Sequence, residues 1–110
     1  MKASELIGLT QDYFLGIEGM THRLTSGNVS HLGATMKLYA RDAANYLEKE
    51  INDPNFTSTD DECELIRKSV VWFRAIEDCS ARLTTGNVSH MGATIRGKAL
   101  RSREYLIKHS

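Results

Sequence analysis

The sequence predicts a small all-α domain, a four-helix bundle built from two tandem helical hairpins. When the chain is compared with itself at an offset of 59 residues, residues 23–35 match residues 82–94 at all but two positions. On both sides of these segments, apolar residues recur every three or four positions, the spacing of an amphipathic helix. We therefore predict an internal duplication within one domain, residues 1–110, with residues 3–51 and residues 62–110 as the two hairpin repeats.

The first hairpin is predicted from two apolar stripes separated by a turn. The stripe that runs from Leu6 to Leu24 predicts a first helix near residues 3–25. The spacing resumes after the turn and predicts a second helix near residues 29–51.

The second hairpin repeats this pattern after a short linker. The linker contains the only proline, Pro54, which a helix interior does not tolerate. Thr59 and Glu62 have the spacing of a capping box, and they predict the start of a third helix near residues 59–84. The last stripe predicts a fourth helix near residues 88–109. A single hairpin cannot bury its own apolar stripe, so we expect the two hairpins to cover each other, or to exchange helices in a domain-swapped dimer.

The two turns between helices carry the repeated motif Arg-Leu-Thr-x-Gly-Asn-Val-Ser-His. Gly27 and Gly86 stand where the residue after a helix often takes the left-handed conformation. The side chains of the next residues are expected to cap the following helix. These candidate caps are Asn28 or Ser30 in the first turn and Asn87 or Ser89 in the second.

The polar residues of these turns are the candidate binding site. The set comprises Arg23, Thr25, Asn28, Ser30 and His31, with Arg82, Thr84, Asn87, Ser89 and His90 in the second copy. One interpretation is purely structural, because a turn needs a helix end, a cap and a close helix approach. The other is an anion site, since a helix N-terminus offers free N–H groups and a partial positive charge. Arginine and imidazole at such a terminus would suit a phosphate or a nucleotide.

Catalytic and metal chemistry are not expected. Ser30 and His31 are adjacent on a helix, so their side chains diverge and form a poor nucleophile–base pair. Glu18 and His22 have ligand spacing, but the equivalent of His22 is an alanine. No cofactor is expected. The two cysteines are predicted to lie on one helix, roughly 24 Å apart, and to be free thiols.

Charge and hydropathy restrict the partners. The formal net charge is zero, which gives no general attraction to nucleic acid or to anionic membranes. The fourth helix is basic, but it has few cations and no interleaved aromatic residues, so nucleic-acid binding is not expected. No apolar run approaches membrane-span length, and the N-terminus lacks a signal-like segment, which together predict a cytoplasmic protein without membrane contact.

The functional prediction follows from the architecture and the lack of a catalytic constellation. We expect a non-enzymatic helical interaction protein that forms a homo-oligomer or binds a protein partner. The alternative is a protein that binds a small phosphate-bearing anion at the two turns.

Overall fold

The computed structural model describes all 110 residues as four α-helices packed into a bundle. The helices are α1 (Ala3–His22), α2 (Val29–Ile51), α3 (Asp60–Ala81) and α4 (Val88–His109). The predicted all-α four-helix bundle is confirmed. None of these helices has both the length and the apolar composition of a membrane span.

Two helices end earlier than the sequence predicts. α1 ends at His22 and α3 at Ala81, although the apolar stripes continue to Leu24 and Leu83. The apolar spacing overestimates the length of both helices, because Leu24 and Leu83 pack against the core although they lie in the turns. The bounds predicted for α2 and α4 are correct.

The capping box that starts α3 is confirmed. Thr59 N–H donates to the Glu62 carboxylate at 2.9 Å, and Glu62 N–H donates to the Thr59 hydroxyl at 3.1 Å. The preceding linker also holds the start of α1, since Ala3 N–H donates to the Thr57 carbonyl at 3.1 Å. These bonds attach the linker to both helices that begin at this end.

The core is formed mainly between the hairpins. α2 packs most extensively against α3, and α1 against α4, whereas α1 and α2 of the same hairpin contact each other less. At the centre, the rings of Phe14 and Phe73 stack with centroids 4.1 Å apart and planes 7° apart. These two residues are 59 positions apart and fully buried. The expectation that the hairpins cover each other is therefore confirmed, and the tandem duplication behind it stays a prediction.

Two glycines allow the helices to approach closely beside the turns. A Cβ atom at Gly33 would lie 3.4 Å from Leu83 Cδ1, and a Cβ atom at Gly92 would lie 3.2 Å from Leu24 Cδ1. A Cβ atom at Gly33 would thus be in ordinary van der Waals contact, whereas one at Gly92 would require Leu24 to move by a few tenths of an ångström.

Candidate functional site

Each turn is closed by hydrogen bonds that a single asparagine makes to the preceding residues. Asn28 Oδ1 accepts from Thr25 N–H at 2.8 Å, and Asn28 Nδ2 donates to the Arg23 carbonyl at 2.8 Å. Asn28 N–H donates in turn to the Thr25 hydroxyl at 3.2 Å. These bonds use the amide of Asn28 and the hydroxyl of Thr25 within the turn. Much of the repeated motif thus has a structural role.

The second turn repeats this geometry at the matching positions. Asn87 Oδ1 accepts from Thr84 N–H and Asn87 Nδ2 donates to the Arg82 carbonyl, both at 2.8 Å. Asn87 N–H donates to the Thr84 hydroxyl at 3.2 Å. The same residue types at the same spacing therefore give the same local structure twice.

Two predicted details of the turns are wrong. No glycine has a positive φ angle, so neither Gly27 nor Gly86 takes the left-handed conformation. Neither α2 nor α4 has a side-chain cap: both asparagines turn back toward the preceding helix instead of forward. The candidate serine caps, Ser30 and Ser89, make no side-chain hydrogen bond either. The physical reason is competition, since an asparagine that closes the turn has no group left for the next helix.

The remaining candidate residues do not converge on one point. Arg23 and His31 are exposed, as are their counterparts Arg82 and His90. Neither imidazole forms a side-chain hydrogen bond, and neither lines a cleft beside the turns. The ten-residue candidate set stays a prediction.

Two grooves nevertheless lie beside the turns, and each combines residues of both hairpins. The larger, about 540 Å³, is bordered by His22 and Thr25 from the first hairpin and by Ser89 and Arg96 from the second. The smaller, about 220 Å³, is formed at matching positions by the start of α2 and the end of α3, with Lys37 at the position that corresponds to Arg96. A ligand in either groove would contact both hairpins.

The groove at the start of α2 contains unused donors. Because α2 has no side-chain cap, the N–H groups of residues 29–31 have no hydrogen-bond partner. Ser80 lines the same groove, and its buried hydroxyl has no partner. In the other groove the equivalent hydroxyl, Thr21 Oγ1, donates to the Glu18 carbonyl at 2.6 Å. Free N–H groups beside the Lys37 ammonium group would stabilise a bound anion.

The structure also places the residues considered for metal binding and redox chemistry. The Glu18 carboxylate is held by Arg103 through bonds of 2.6 and 3.0 Å, which occupy both of its oxygens. The arginine pKa is raised by this hydrogen bond. No group of three or more His, Cys, Asp or Glu side chains has the arrangement of a metal site. Cys63 and Cys79 both lie on α3 and are free thiols, as predicted.

Two further clefts lie along the sides of the bundle, and the sequence reasoning missed them. Tyr13 and Trp72 lie on the apolar stripes of α1 and α3, a position that predicts burial in the core, but both are only partly buried and each lines one of these clefts. The α1/α2 cleft, about 240 Å³, contains three tyrosines and Asp42. Burial raises the pKa of Tyr39 in this cleft, and the nearby Tyr13 and Asp12 raise it further.

The second side cleft lies between α3 and α4. Trp72 and Tyr105 form its aromatic part, and Lys98 and Arg101 supply cations. The two clefts occupy matching positions of the two hairpins. Two aromatic positions are shared, Tyr13 with Trp72 and Tyr46 with Tyr105, whereas Tyr39 and Asp42 correspond to Lys98 and Arg101.

The chain was compared with known protein families, curated proteins and solved structures, and none of these comparisons gives a match.

Proposed function

We propose that this protein is a non-enzymatic interaction module that self-associates through the face formed by α1 and α4. The observation that supports this is the exposure of large aliphatic side chains on that face. Leu15 and Ile107 are 52% and 53% exposed, and Leu100 is 36% exposed. Exposed aliphatic groups collected on one face of a small domain are typical of a protein contact surface.

These side chains are neighbours because of the way α1 and α4 pack. Glu18 contacts Arg103, while Leu24 near the end of α1 contacts Gly92 near the start of α4, so the two helices run antiparallel. Leu15 lies three residues before Glu18, and Ile107 lies four residues after Arg103. Both therefore extend one turn beyond the ion pair in the same direction along the bundle. Leu100 lies one turn to the other side of the pair.

The matching face of α2 and α3 has charged and polar groups at the corresponding positions, with two exposed aliphatic residues, Leu38 and Val71, one turn beyond them. Where α1 has Leu15, α3 has Arg74, which donates to Asn45 and to Glu48, each at 2.8 Å. Glu48 stands at the position that corresponds to Ile107, and Arg41 at the position of Leu100. Arg41 is paired with Glu77 at 3.0 Å. The two halves therefore resemble each other in packing, but three positions that are charged on the α2/α3 face are aliphatic on the α1/α4 face.

The size of the apolar face is compatible with a dimer. α1 is 20 residues long, which corresponds to about 30 Å, and two adjacent helices span about 20 Å. The whole α1/α4 face, including its polar residues, thus covers roughly 600 Å², which is close to the area that each partner contributes to a standard interface. A second copy of the chain would present the same face, so the contact is self-complementary around a two-fold axis.

Sedimentation and light scattering over a range of protein concentrations test this proposal. The wild type is expected to form a dimer at about 100 μM, and Leu15→Gln with Ile107→Gln to remain a monomer with unchanged helix content. Val71→Gln is the matched control, because Val71 is 65% exposed on α3 outside this face. A monomeric wild type, or a dimer unaffected by the double substitution, contradicts the proposal.

The second candidate function is the binding of a phosphate-bearing anion at the turns. It is favoured by the uncapped start of α2 and the unpaired Ser80 hydroxyl in the same groove. Phosphate or a nucleotide should then raise the melting temperature, and Lys37→Gln, which removes the cation of that groove, should reduce the increase. No increase at millimolar ligand counts against this function and leaves the dimer unaffected.

We place this activity in the cytoplasm. Two free thiols are common in proteins of a reducing compartment. Localisation of a fluorescent fusion with the full chain in cells tests this placement.

A further inference from the structure

The cleft between α3 and α4 combines an aromatic surface with positive charge. Trp72 and Tyr105 meet edge to face, with ring centroids 5.5 Å apart and planes at 76°. In this arrangement the two rings do not cover each other's faces, and Tyr105 is 36% exposed although His109 packs on one side of it, with ring centroids 4.1 Å apart. The side chains of Lys98 and Arg101 border the same cleft.

Neither cation is used by the protein itself. Lys98 and Arg101 form no salt bridge and donate no side-chain hydrogen bond, whereas the neighbouring Arg103 is held by Glu18. The Arg101 guanidinium folds back along α4 over Gly97, where a Cβ atom would lie 2.9 Å from Nη1. Glycine at this position leaves room for the guanidinium beside the cleft.

The matching cleft between α1 and α2 shows which features are particular to this one. Tyr13 and Tyr46 stand where Trp72 and Tyr105 stand here, so both clefts retain aromatic residues. The charged positions differ, however. Tyr39 replaces Lys98, and Asp42 replaces Arg101. Packing explains the aromatic residues in both clefts, but it does not require two unpaired cations in one of them.

We propose that the α3/α4 cleft binds a small aromatic anion, a single ring that carries a carboxylate or a phosphate. The ring would pack on Trp72 and Tyr105, and the anionic group would pair with Lys98 and Arg101. The cleft volume of about 280 Å³ favours one ring, because it lies at the lower end of the usual range for ligand pockets. This site is separate from the turns and from the apolar α1/α4 face, so it does not depend on the proposed dimer.

Fluorescence provides a direct readout, since Trp72 is the only tryptophan in the chain. Benzoate and phenyl phosphate are the two probes, and they distinguish a carboxylate from a phosphate ligand. Benzyl alcohol is the neutral control. We expect a saturable change in Trp72 emission with at least one anion, at low millimolar concentration, and none with the alcohol.

Variants separate the role of the cations from that of the ring. Lys98→Gln and Arg101→Gln should each weaken binding about fivefold, the effect of one solvent-exposed ion pair. The double variant should weaken it about 25-fold if the two effects add. Lys49→Gln, which removes one charge from the last turn of α2, should leave binding unchanged.

The proposal is overturned by any of three results. The first is that neither anion changes the Trp72 emission at about 20 mM, a concentration far above the dissociation constant expected for such a contact. Another is an equal response to benzyl alcohol. The last is unaltered binding in the double variant. Circular dichroism of that variant checks that it is folded, which we expect because neither cation forms a bond within the protein.

Discussion

Replacing Asn28 by alanine removes the two side-chain bonds that close the first turn, one accepted from Thr25 and one donated to Arg23. A neutral hydrogen bond contributes about 1 kcal/mol net, so we expect a loss of about 2 kcal/mol in the free energy of unfolding. In a domain of this size that corresponds to a fall of about 8 °C in melting temperature. Asn28→Asp keeps the acceptor but sets a carboxylate oxygen against the Arg23 carbonyl, so it should also be destabilising.

Urea unfolding followed by far-UV circular dichroism measures these changes, at protein concentrations low enough that self-association does not contribute. Asn87→Ala should cost the same as Asn28→Ala, because the second turn has the same bonds. Ser30→Ala is the control, and it should change stability by less than about 0.5 kcal/mol, since this exposed hydroxyl makes no bond. A loss below about 0.5 kcal/mol for Asn28→Ala, or clearly unequal losses at the two asparagines, would refute the structural interpretation of the motif.

Three further predictions concern the bundle. Arg103→Met leaves the buried Glu18 carboxylate without its partner and should cost about 3 kcal/mol in a urea titration; a loss below about 1 kcal/mol would contradict this. Thr59→Ala removes one bond of the capping box and should cost about 1 kcal/mol in the same assay, whereas an unchanged midpoint would show that the box is not stabilising. Burial raises the pKa of Tyr39 above 10.0, so its contribution to stability is complete below pH 10 and is lost as the pH rises through the folded pKa. Urea titrations between about pH 8 and 11 should therefore show a smaller alkaline loss for Tyr39→Phe than for the wild type, and equal losses would argue against this assignment.

The sequence predicted the candidate turn but not the hydrogen bonds that close it. The motif correctly indicated a constrained turn, which the hydrogen bonds of both asparagines close. It did not indicate which way Asn28 would direct its amide, because capping the next helix and closing the preceding turn use the same groups. Only the folded backbone decides between these two bonds. Neither Arg23 nor His31 has a side-chain partner in the fold, so a ligand-binding measurement is the test of their roles.

The side clefts were missed for a different reason. Trp72 lies on a helical stripe, and a stripe predicts burial without showing how far the neighbouring helix covers each residue. From the sequence alone, Lys98 and Arg101 are only two of the cations on a basic helix. Their position beside Trp72 depends on the packing of α4 against α3, which local spacing does not report.

The sequence by itself determined the number of helices, most of their bounds and the equivalence of the two turns. These features depend on interactions between residues a few positions apart, such as apolar spacing and the capping box at Thr59. Only the tertiary structure decided that each hairpin packs mainly against the other, so that the grooves and the α1/α4 face combine distant parts of the chain. This packing depends on the fit between surfaces that are far apart in sequence, as in the stack of Phe14 on Phe73.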